Sequence, residues 1–171
     1  HLSKGEVLGI AGVGGNGQQQ LADSLMGLTV PDQGSITLNG VDVTHTNVAV
    51  RRKIGLRAIP ADRFSSGLIA DMTISENLGM TKTTTGHYGR GMFFSRSRMR
   101  KETEQAIADY NIAGASSTLS ARLLSGGNAQ KLLLARELNQ GLSVLIAHSP
   151  SRGLDVKACH TVHSLIKKSV E

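Results

Sequence analysis

The sequence predicts an α/β fold with a parallel-sheet core and a separate antiparallel β portion. An apolar run at residues 6–11 precedes a glycine-rich loop and a segment with helical spacing, and a second apolar run at residues 143–147 precedes a turn and another helix-like segment. Apolar runs that alternate with helices are typical of parallel sheets. Asn39 and Gly40 separate two short alternating runs, which indicates a β-hairpin outside that core.

The remaining elements can be predicted from apolar spacing and from turn residues. Residues 6–11 are expected to form a buried strand because they contain Val7, Leu8 and Ile10, and the helix after the glycine-rich loop is expected to end at Gly27. The later predictions are strands at 35–38 and 41–43, a helix at 48–54, a strand at 55–59, a helix at 97–110, a buried strand at 143–147 and a helix at 156–170.

Length and composition favour a single domain with a real core. A chain of 171 residues, 39% of them hydrophobic, can bury such a core. Thr73 and Glu76 have the spacing of a capping box ahead of a helix in the middle of the chain. We predict one domain, residues 1–171, composed of an α/β core at 1–60 and 124–171 and a helical subdomain at 61–123.

The last predicted helix carries the only cysteine of the chain. Cys159 is spaced with Val156 and Val162 on one helical face, which favours a core position. A single cysteine excludes an internal disulfide and is consistent with a reducing compartment.

The net charge of +6 leaves several classes of partner open. Basic clusters occur at residues 51–53, 96–101 and 167–168, without interleaved aromatic residues, which make up 3% of the chain. This pattern favours a solvated face or contact with a membrane-bound partner over nucleic-acid binding. No run approaches the roughly 20 apolar residues that a membrane span needs.

The glycine-rich loop has the spacing of a phosphate-binding loop but lacks its charged and hydroxyl side chains. In the pattern G-x-x-x-x-G-K-[ST] the backbone surrounds the phosphates, the lysine neutralises their charge and the hydroxyl holds Mg²⁺. Glutamines replace the lysine and the hydroxyl here, so we expect weaker nucleotide affinity. A glycine-rich turn without a ligand is the alternative. The candidate nucleotide-binding residues are Gly12, Gly14, Gly15, Asn16, Gly17, Gln18 and Gln19.

A second candidate anion site lies at residues 125–128. Ser125 is a good helix N-cap, and Gly126 and Gly127 allow a ligand to approach the first free N–H groups of the helix. Asn128 adds an amide side chain. Alone, such a string can be any capped helix, so its weight depends on the other motifs.

Several motifs in order resemble the ATP-binding domain of an ABC transporter over nearly the whole chain. Residues 124–128 resemble the signature motif, 151–155 the D-loop, and 58–63 the Q-loop region. Within this family, the residues of these motifs resemble most closely the degenerate second half of the tandem ATP-binding subunit in bacterial sugar and nucleoside importers. The resemblance implies a P-loop NTPase-like fold of the ABC ATPase type. It also implies that the switch histidine would lie beyond Glu171 and an adenine-stacking residue before His1.

The resemblance also identifies where the acidic residues of the family have been replaced. His148 and Ser149 take the positions of the aspartate that holds Mg²⁺ and of the glutamate that polarises water. Histidine is a poor ligand for Mg²⁺, and serine has no useful basicity at neutral pH. His148 as a catalytic base and His148 as a structural residue both remain open. We expect no metal site in this chain.

The resemblance implies a mechanism shared with a sister domain, fused or separate. Ser125, Gly126 and Gly127 would complete in trans an ATP site whose loop, Mg²⁺ ligands and glutamate belong to the sister, while Asp155 lies at the interface. The site of this chain would then hydrolyse ATP weakly or not at all. The alternative for Asp155 is a helix cap. The implied partners are transmembrane permease subunits at the cytoplasmic face of the membrane.

Two other function classes remain open at the level of the sequence. One is a non-catalytic regulatory or assembly module that keeps the fold without closing on ATP. The other is a DNA-associated ATPase of similar sheet architecture, which salt-dependent retention on DNA would identify.

Overall fold

The computed structural model describes residues 1–138 and 141–170, which form an α/β structure with six α-helices and four strands among them. In chain order these are α1 Gln18–Met26, β1 Thr37–Leu38, β2 Val41–Asp42, α2 Val48–Ile54, β3 Leu56–Ile59, α3 Ile74–Thr83, α4 Arg96–Asp109, α5 Gly126–Leu138, β4 Val144–Ala147 and α6 Val156–Lys168. No helix in the described part of the chain is long and apolar enough to cross a membrane.

The hairpin predicted at Asn39 and Gly40 is confirmed. β1 and β2 are antiparallel, with Leu38 opposite Val41. Asn39 and Gly40 have φ angles of 51° and 79°, the left-handed values that a two-residue hairpin turn of this hand requires at both positions. Leu38 then joins Val43 in a small buried cluster under the hairpin.

The only parallel pairing in the described residues joins β3 to β4, from Leu56 opposite Val144 to Ile59 opposite Ala147. Gly55 ends α2 with a φ of 110° and leads directly into β3. Pro60 follows the strand, and proline cannot donate to the next hydrogen bond of a sheet. The two carboxyl ends of β3 and β4 therefore lie side by side.

The middle of the chain is helical, with α3 and α4 packed against each other. The capping box of α3 is confirmed, since Thr73 Oγ1 accepts from Glu76 N at 3.2 Å and the Glu76 carboxylate accepts from Thr73 N at 2.8 Å. Ser95 caps α4 through its side chain alone, which accepts from Arg98 N. The division between core and helical subdomain at residues 61–123 stays a prediction.

The centre of the core is α5, which packs against α3, α6 and β3. Leu132, Leu133 and Leu134 are fully buried, so this helix has apolar contacts on several sides. Such a helix is held by the burial of its side chains more than by its intrinsic propensity. The position of its first turn is consequently fixed by the whole core.

The buried strand predicted at residues 6–11 is wrong for this structure. The segment has no regular structure, and Val7, Leu8 and Ile10 are each more than 60% exposed. A strand needs a neighbour for its backbone groups. In the described residues β4 pairs with β3 and no strand pairs with this segment, so its apolar side chains lie in solvent.

Two burial predictions near the end of the chain are also wrong. β4 forms where expected, but it is half-buried and Ala147 is exposed. In α6, Val162 is buried, whereas Val156 is 87% exposed and Cys159 is half-buried. Val156 is the first residue of the helix, where the chain has only just left the turn and the apolar face has not yet reached the core.

Candidate functional site

The start of α5 is a capped and exposed helix N-terminus, as the sequence predicts. Ser125 and Gly126 are exposed, and Ser125 Oγ accepts from Asn128 N at 3.4 Å. The first turn of a helix leaves N–H groups without an intrahelical partner and carries the positive end of the helix dipole. The helix begins at Gly126, three residues before the apolar run, so both glycines belong to this first turn.

The side chain of Asn128 faces back into the chain. Its Nδ2 donates to Ala113 O at 2.9 Å, which attaches the first turn of α5 to the segment before it. Of the four predicted residues, Ser125 and Gly126 are exposed and Gly127 is half-buried. Asn128 instead holds the helix start in place.

The turn at residues 151–155 lies beside the start of α5. Asp155 Oδ1 accepts from Ala158 N at 2.8 Å and caps α6, so its role as a helix cap is confirmed, while its role at an interface stays a prediction. A β-carbon at Gly126 would lie 3.8 Å from Leu154 Cδ2. The structure therefore brings the predicted signature motif and the predicted D-loop onto one surface.

The glycine-rich loop contains an internal contact that the sequence does not reveal. Gln18 Nε2 donates to Val13 O at 3.0 Å, and the same side chain covers Gly12, where a β-carbon would collide with it. Gly15 and Gly17 have φ angles of 93° and 96°. Glycine is needed at these two positions because the left-handed backbone there is strained for other residues.

A cavity of about 470 Å³ is lined by several of the other residues predicted around the nucleotide. It lies between α1 and the carboxyl ends of β3 and β4, and its lining includes Gln19, Ala61, Asp62, His148 and Arg152. The residues expected at the Q-loop, at the hydroxyl position of the loop and at the end of β4 are thereby brought together. Residues 125–128 are not among the described residues that line this cavity.

A buried carboxylate beside this cavity is held between two arginines. Glu137 is 1% exposed, and its carboxylate accepts from Arg52 Nη1 at 2.9 Å and from Arg136 Nε at 2.8 Å. Two guanidinium groups on one buried carboxylate satisfy its charge and leave this wall of the cavity positive.

The residues of this half-site do not fit a bound Mg²⁺. Asp23 accepts from Gln19 Nε2 at 2.8 Å, and Asp62 accepts from Phe64 N and Ser65 N at 2.9 Å. Both carboxylates are thus engaged in their own helices, and His148 offers nitrogen rather than the oxygen that Mg²⁺ prefers. In residues 1–138 and 141–170 no three His, Cys, Asp or Glu side chains come together as a metal-binding group.

The backbone of the glycine-rich loop is exposed at Gly12, Gly14 and Gly15, whereas Gln18 faces back into the loop. Gln18 would have to leave Val13 O before its amide could reach a ligand. A neutral amide gives roughly half the hydrogen-bond strength of the charged lysine that it replaces. Nucleotide binding by this loop therefore stays a prediction, and it would depend on the glycine backbone.

Arg63 lies in the segment that resembles the Q-loop region, and the sequence assigns it no role. Arg63 Nη1 and Nη2 both donate to the carbonyl oxygen of Arg152, at 3.0 and 2.9 Å. The two residues are far apart in the chain, so periodicity and spacing give no sign of this contact.

Comparison with curated proteins shows what this arrangement is similar to. The chain is 38% identical over 170 residues to the guanosine import ATP-binding protein NupO of Bacillus subtilis, covering 99% of this chain and 33% of that protein. It is 35% identical over 162 residues to the nucleoside import ATP-binding protein NupA of Lactococcus lactis subsp. cremoris, covering 93% of this chain and 31% of that protein. The chain therefore spans about a third of the length of these relatives.

Solved structures show the same fold. The dimeric, post-hydrolysis structure of the ATP-binding cassette MJ0796 bound to ADP and Pi has a TM-score of 0.81 and 22% identity, covering all of this chain and 72% of that one. A second dimeric structure of MJ0796, a bacterial ABC transporter cassette, has a TM-score of 0.80 and 21% identity, covering 99% of this chain and 72% of that one.

The family model described as ABC transporter matches residues 1–152, which is most of the chain. The order of the motifs, the fold and the curated relatives agree with that match. The chain belongs to the ABC transporter family.

Proposed function

We propose that this chain is an ATP-binding domain of a sugar or nucleoside importer that supplies its signature motif to the ATP site of a sister domain. Its own half-site is weakly hydrolytic or inactive. The relatives are named as import ATP-binding proteins for nucleosides, guanosine and ribose, which supports the importer class. The observation on which the proposal rests is the exposed, capped start of α5.

The proposed contribution of this chain to catalysis is electrostatic. ATP, when bound by the sister domain, supplies the terminal phosphoryl group that is transferred to water. The free N–H groups of Gly126 and Gly127 and the hydroxyl of Ser125 are available to stabilise negative charge there, and the dipole of α5 adds to them. None of these groups needs a local lysine or a local metal ion.

The half-site of this chain lacks groups for hydrolysis. Gln18 is bonded within the loop, His148 and Ser149 replace the acidic pair, and Asp23 and Asp62 cap or brace their own helices. Because His148 and Ser149 stand where the family has its acidic pair, the half-site lacks the expected Mg²⁺ ligand and the expected water-polarising carboxylate. This supports assigning the chain's contribution to the trans site.

The helical part of the chain supports contact with permease subunits. Met92 and Phe93 are 97% and 87% exposed, and they lie next to a 320 Å³ cavity whose lining includes Phe94, Arg96 and Arg100. Exposed apolar side chains beside basic ones are typical of a protein interface. We propose that this surface faces the transmembrane partners on the cytoplasmic side of the membrane.

The test is ATP turnover by the intact transporter that contains this chain. Ser125→Arg places a bulky cation where the sister site would close, so we expect turnover to fall by about 100-fold or more, the scale for losing oxyanion stabilisation. Ser164→Arg is the matched control, because Ser164 lies exposed on α6, and it should leave turnover unchanged.

Unchanged turnover in the Ser125→Arg protein would exclude the trans role. It would leave the second candidate, a regulatory or assembly module that keeps the fold without closing on ATP. The internal Gln18–Val13 hydrogen bond, which occupies the loop, is the observation in favour of that second candidate.

A further inference from the structure

Arg63 connects three separate segments around the start of α5. It begins a π-helical turn, Arg63–Gly67, that follows β3. Both terminal nitrogens of its guanidinium donate to the carbonyl oxygen of Arg152, at 3.0 and 2.9 Å. Hydrogen bonds from a charged donor are the strong ones among side-chain contacts.

The same guanidinium lies against two glycines. A β-carbon at Gly126 would be 3.6 Å from Arg63 Nη2, and one at Gly153 would be 3.5 Å from it. An added methyl at either position would thus be in ordinary van der Waals contact with the guanidinium, which lies close to both glycines. A single side chain therefore lies beside the first turn of α5 and is hydrogen-bonded to the turn before α6.

Asp62 fixes the position from which Arg63 reaches these segments. Its carboxylate accepts from Phe64 N and Ser65 N, and these backbone hydrogen bonds lower the pKa of Asp62. The carboxylate is therefore ionised at neutral pH and caps the π-helical turn. This cap fixes the backbone at Arg63, the first residue of the π-helical turn.

The charge of Arg63 does not stabilise α5. A cation at a helix N-terminus opposes the helix dipole, which favours anions there. The placement of the guanidinium beside Gly126 therefore costs the isolated helix free energy. Any stabilisation by Arg63 therefore has to come from the contacts of its guanidinium with the segments around it.

We propose that Arg63 is a positioning residue that holds residues 151–155 against the start of α5, so that the sister domain meets Ser125–Gly127 and Asp155 as one rigid surface. This inference rests on the proposed function. Arg63 acts through its hydrogen bonds to Arg152 O and its place beside Gly126 and Gly153, and this role does not require contact with the nucleotide.

The first test measures the contact itself, by amide hydrogen exchange in the intact transporter without nucleotide. Arg63→Gln removes the fork of two donors, so exchange should accelerate by about tenfold or more in peptides covering residues 124–128 and 151–155, as expected when a charge-assisted hydrogen bond is lost. Peptides from α4 should be unchanged. Unchanged exchange at residues 151–155 would overturn the proposal.

The second test separates positioning from a merely structural role. In the same transporter, Arg63→Gln should lower kcat by about tenfold while KM for ATP stays within about twofold. The fixed placement of residues 151–155 against the start of α5 is needed in the transition state and not for binding ATP. Arg63→Lys, which retains one donor to Arg152 O, should give an intermediate kcat. Arg122→Gln is the matched control, since Arg122 pairs with Asp71 at the surface, and it should leave kcat unchanged.

The outcomes distinguish this inference from the proposed function. If Ser125→Arg abolishes turnover while Arg63→Gln does not change kcat, the positioning role is wrong and the trans role stands. If neither substitution changes turnover, the trans role is wrong, and the positioning role falls with it.

Discussion

Gly127 on α5 directly faces Ala158 on α6. A β-carbon at Gly127 would stand 3.2 Å from the methyl carbon of Ala158, closer than the 3.5–4.0 Å at which two carbon atoms attract best. The starts of the two helices can approach this closely because residue 127 has no side chain. The same approach places the cap of α6 at Asp155 beside the signature motif.

Gly127→Ala should therefore cost stability that depends on Ala158. Alanine favours a helix more than glycine does, so the single substitution mixes a gain in propensity with a steric loss. A double-mutant cycle with Ala158→Gly removes the propensity term, and we expect a coupling free energy of about 1 kcal/mol between the two positions. Urea unfolding of the four proteins measures it. Additivity of the two changes would show that the helices are not in contact there.

Stability should depend on the ionised state of Glu102 on α4. Its carboxylate accepts from Lys82, His87, Tyr88 and Arg98. Burial works against its charge, but the hydrogen bonds from His87 and Lys82 prevail and lower the pKa of Glu102 from 4.5 to about 2. A lowered folded-state pKa stabilises the protein above the unfolded value, and this contribution is lost as the pH falls from about 4.5 toward 2.

Glu102→Gln tests this pH dependence. Because the Glu102 side chain is partly exposed, we expect a loss of about 1–2 kcal/mol in the free energy of unfolding at pH 7. The difference from the parent protein should shrink as the pH falls through the window between about 4.5 and 2. A difference that is constant across this window would mean that the charge of Glu102 contributes nothing.

Two buried amides should respond in opposite ways to substitution. Asn77 is fully buried, accepts from Ile69 N at 2.8 Å and donates to Ile69 O at 2.9 Å. Gln130 is equally buried, yet its Nε2 has no hydrogen-bond partner in the described part of the chain. Removing a bonded amide leaves buried backbone groups unsatisfied, whereas removing an unpaired one does not.

We therefore expect Asn77→Leu to lower the free energy of unfolding by about 2–3 kcal/mol and Gln130→Met to change it by less than about 0.5 kcal/mol or to raise it. Thermal unfolding of both variants provides the comparison. A larger loss for Gln130→Met than for Asn77→Leu would contradict the hydrogen bonding described here.

Removing Glu137 should destabilise the protein strongly unless Arg136 is removed with it. Arg136 has a side chain only 7% exposed and loses its buried partner in Glu137→Leu, which should cost about 3–5 kcal/mol. Adding Arg136→Met replaces the remaining charge with an apolar side chain of similar length and should restore most of the loss. If the double variant is less stable than the single one, the pair is not the source of the effect.

The local elements could be predicted because their signals lie within a few residues. The Asn39–Gly40 turn, the Thr73–Glu76 capping box and the Ser125 cap each depend on side chains and backbone groups one to three positions apart. Burial could be predicted less well. An apolar sequence shows that a segment can be buried, but it does not show whether another element packs over it. Residues 6–11 show this most clearly.

The contacts that tie the site together could not be predicted, because the sequence does not show which partner a long polar side chain takes. Arg63 reaches Arg152 O, and Gln18 turns back to Val13 O instead of facing a ligand. The choice of partner for an arginine or a glutamine depends on the relative positions of folded elements, which periodicity does not encode. Cap, turn and strand signals therefore locate the site, while the structure is needed to show what holds it.

The central claim is tested most directly by locating the ATP that is hydrolysed. In the intact transporter, an azido-ATP analogue is trapped with vanadate after hydrolysis, crosslinked by light and mapped by peptide. The account predicts label at the phosphate loop of the sister domain, background label in the peptide that covers residues 12–19, and loss of trapping in Ser125→Arg. Strong trapped label at residues 12–19, retained in Ser125→Arg, would contradict it.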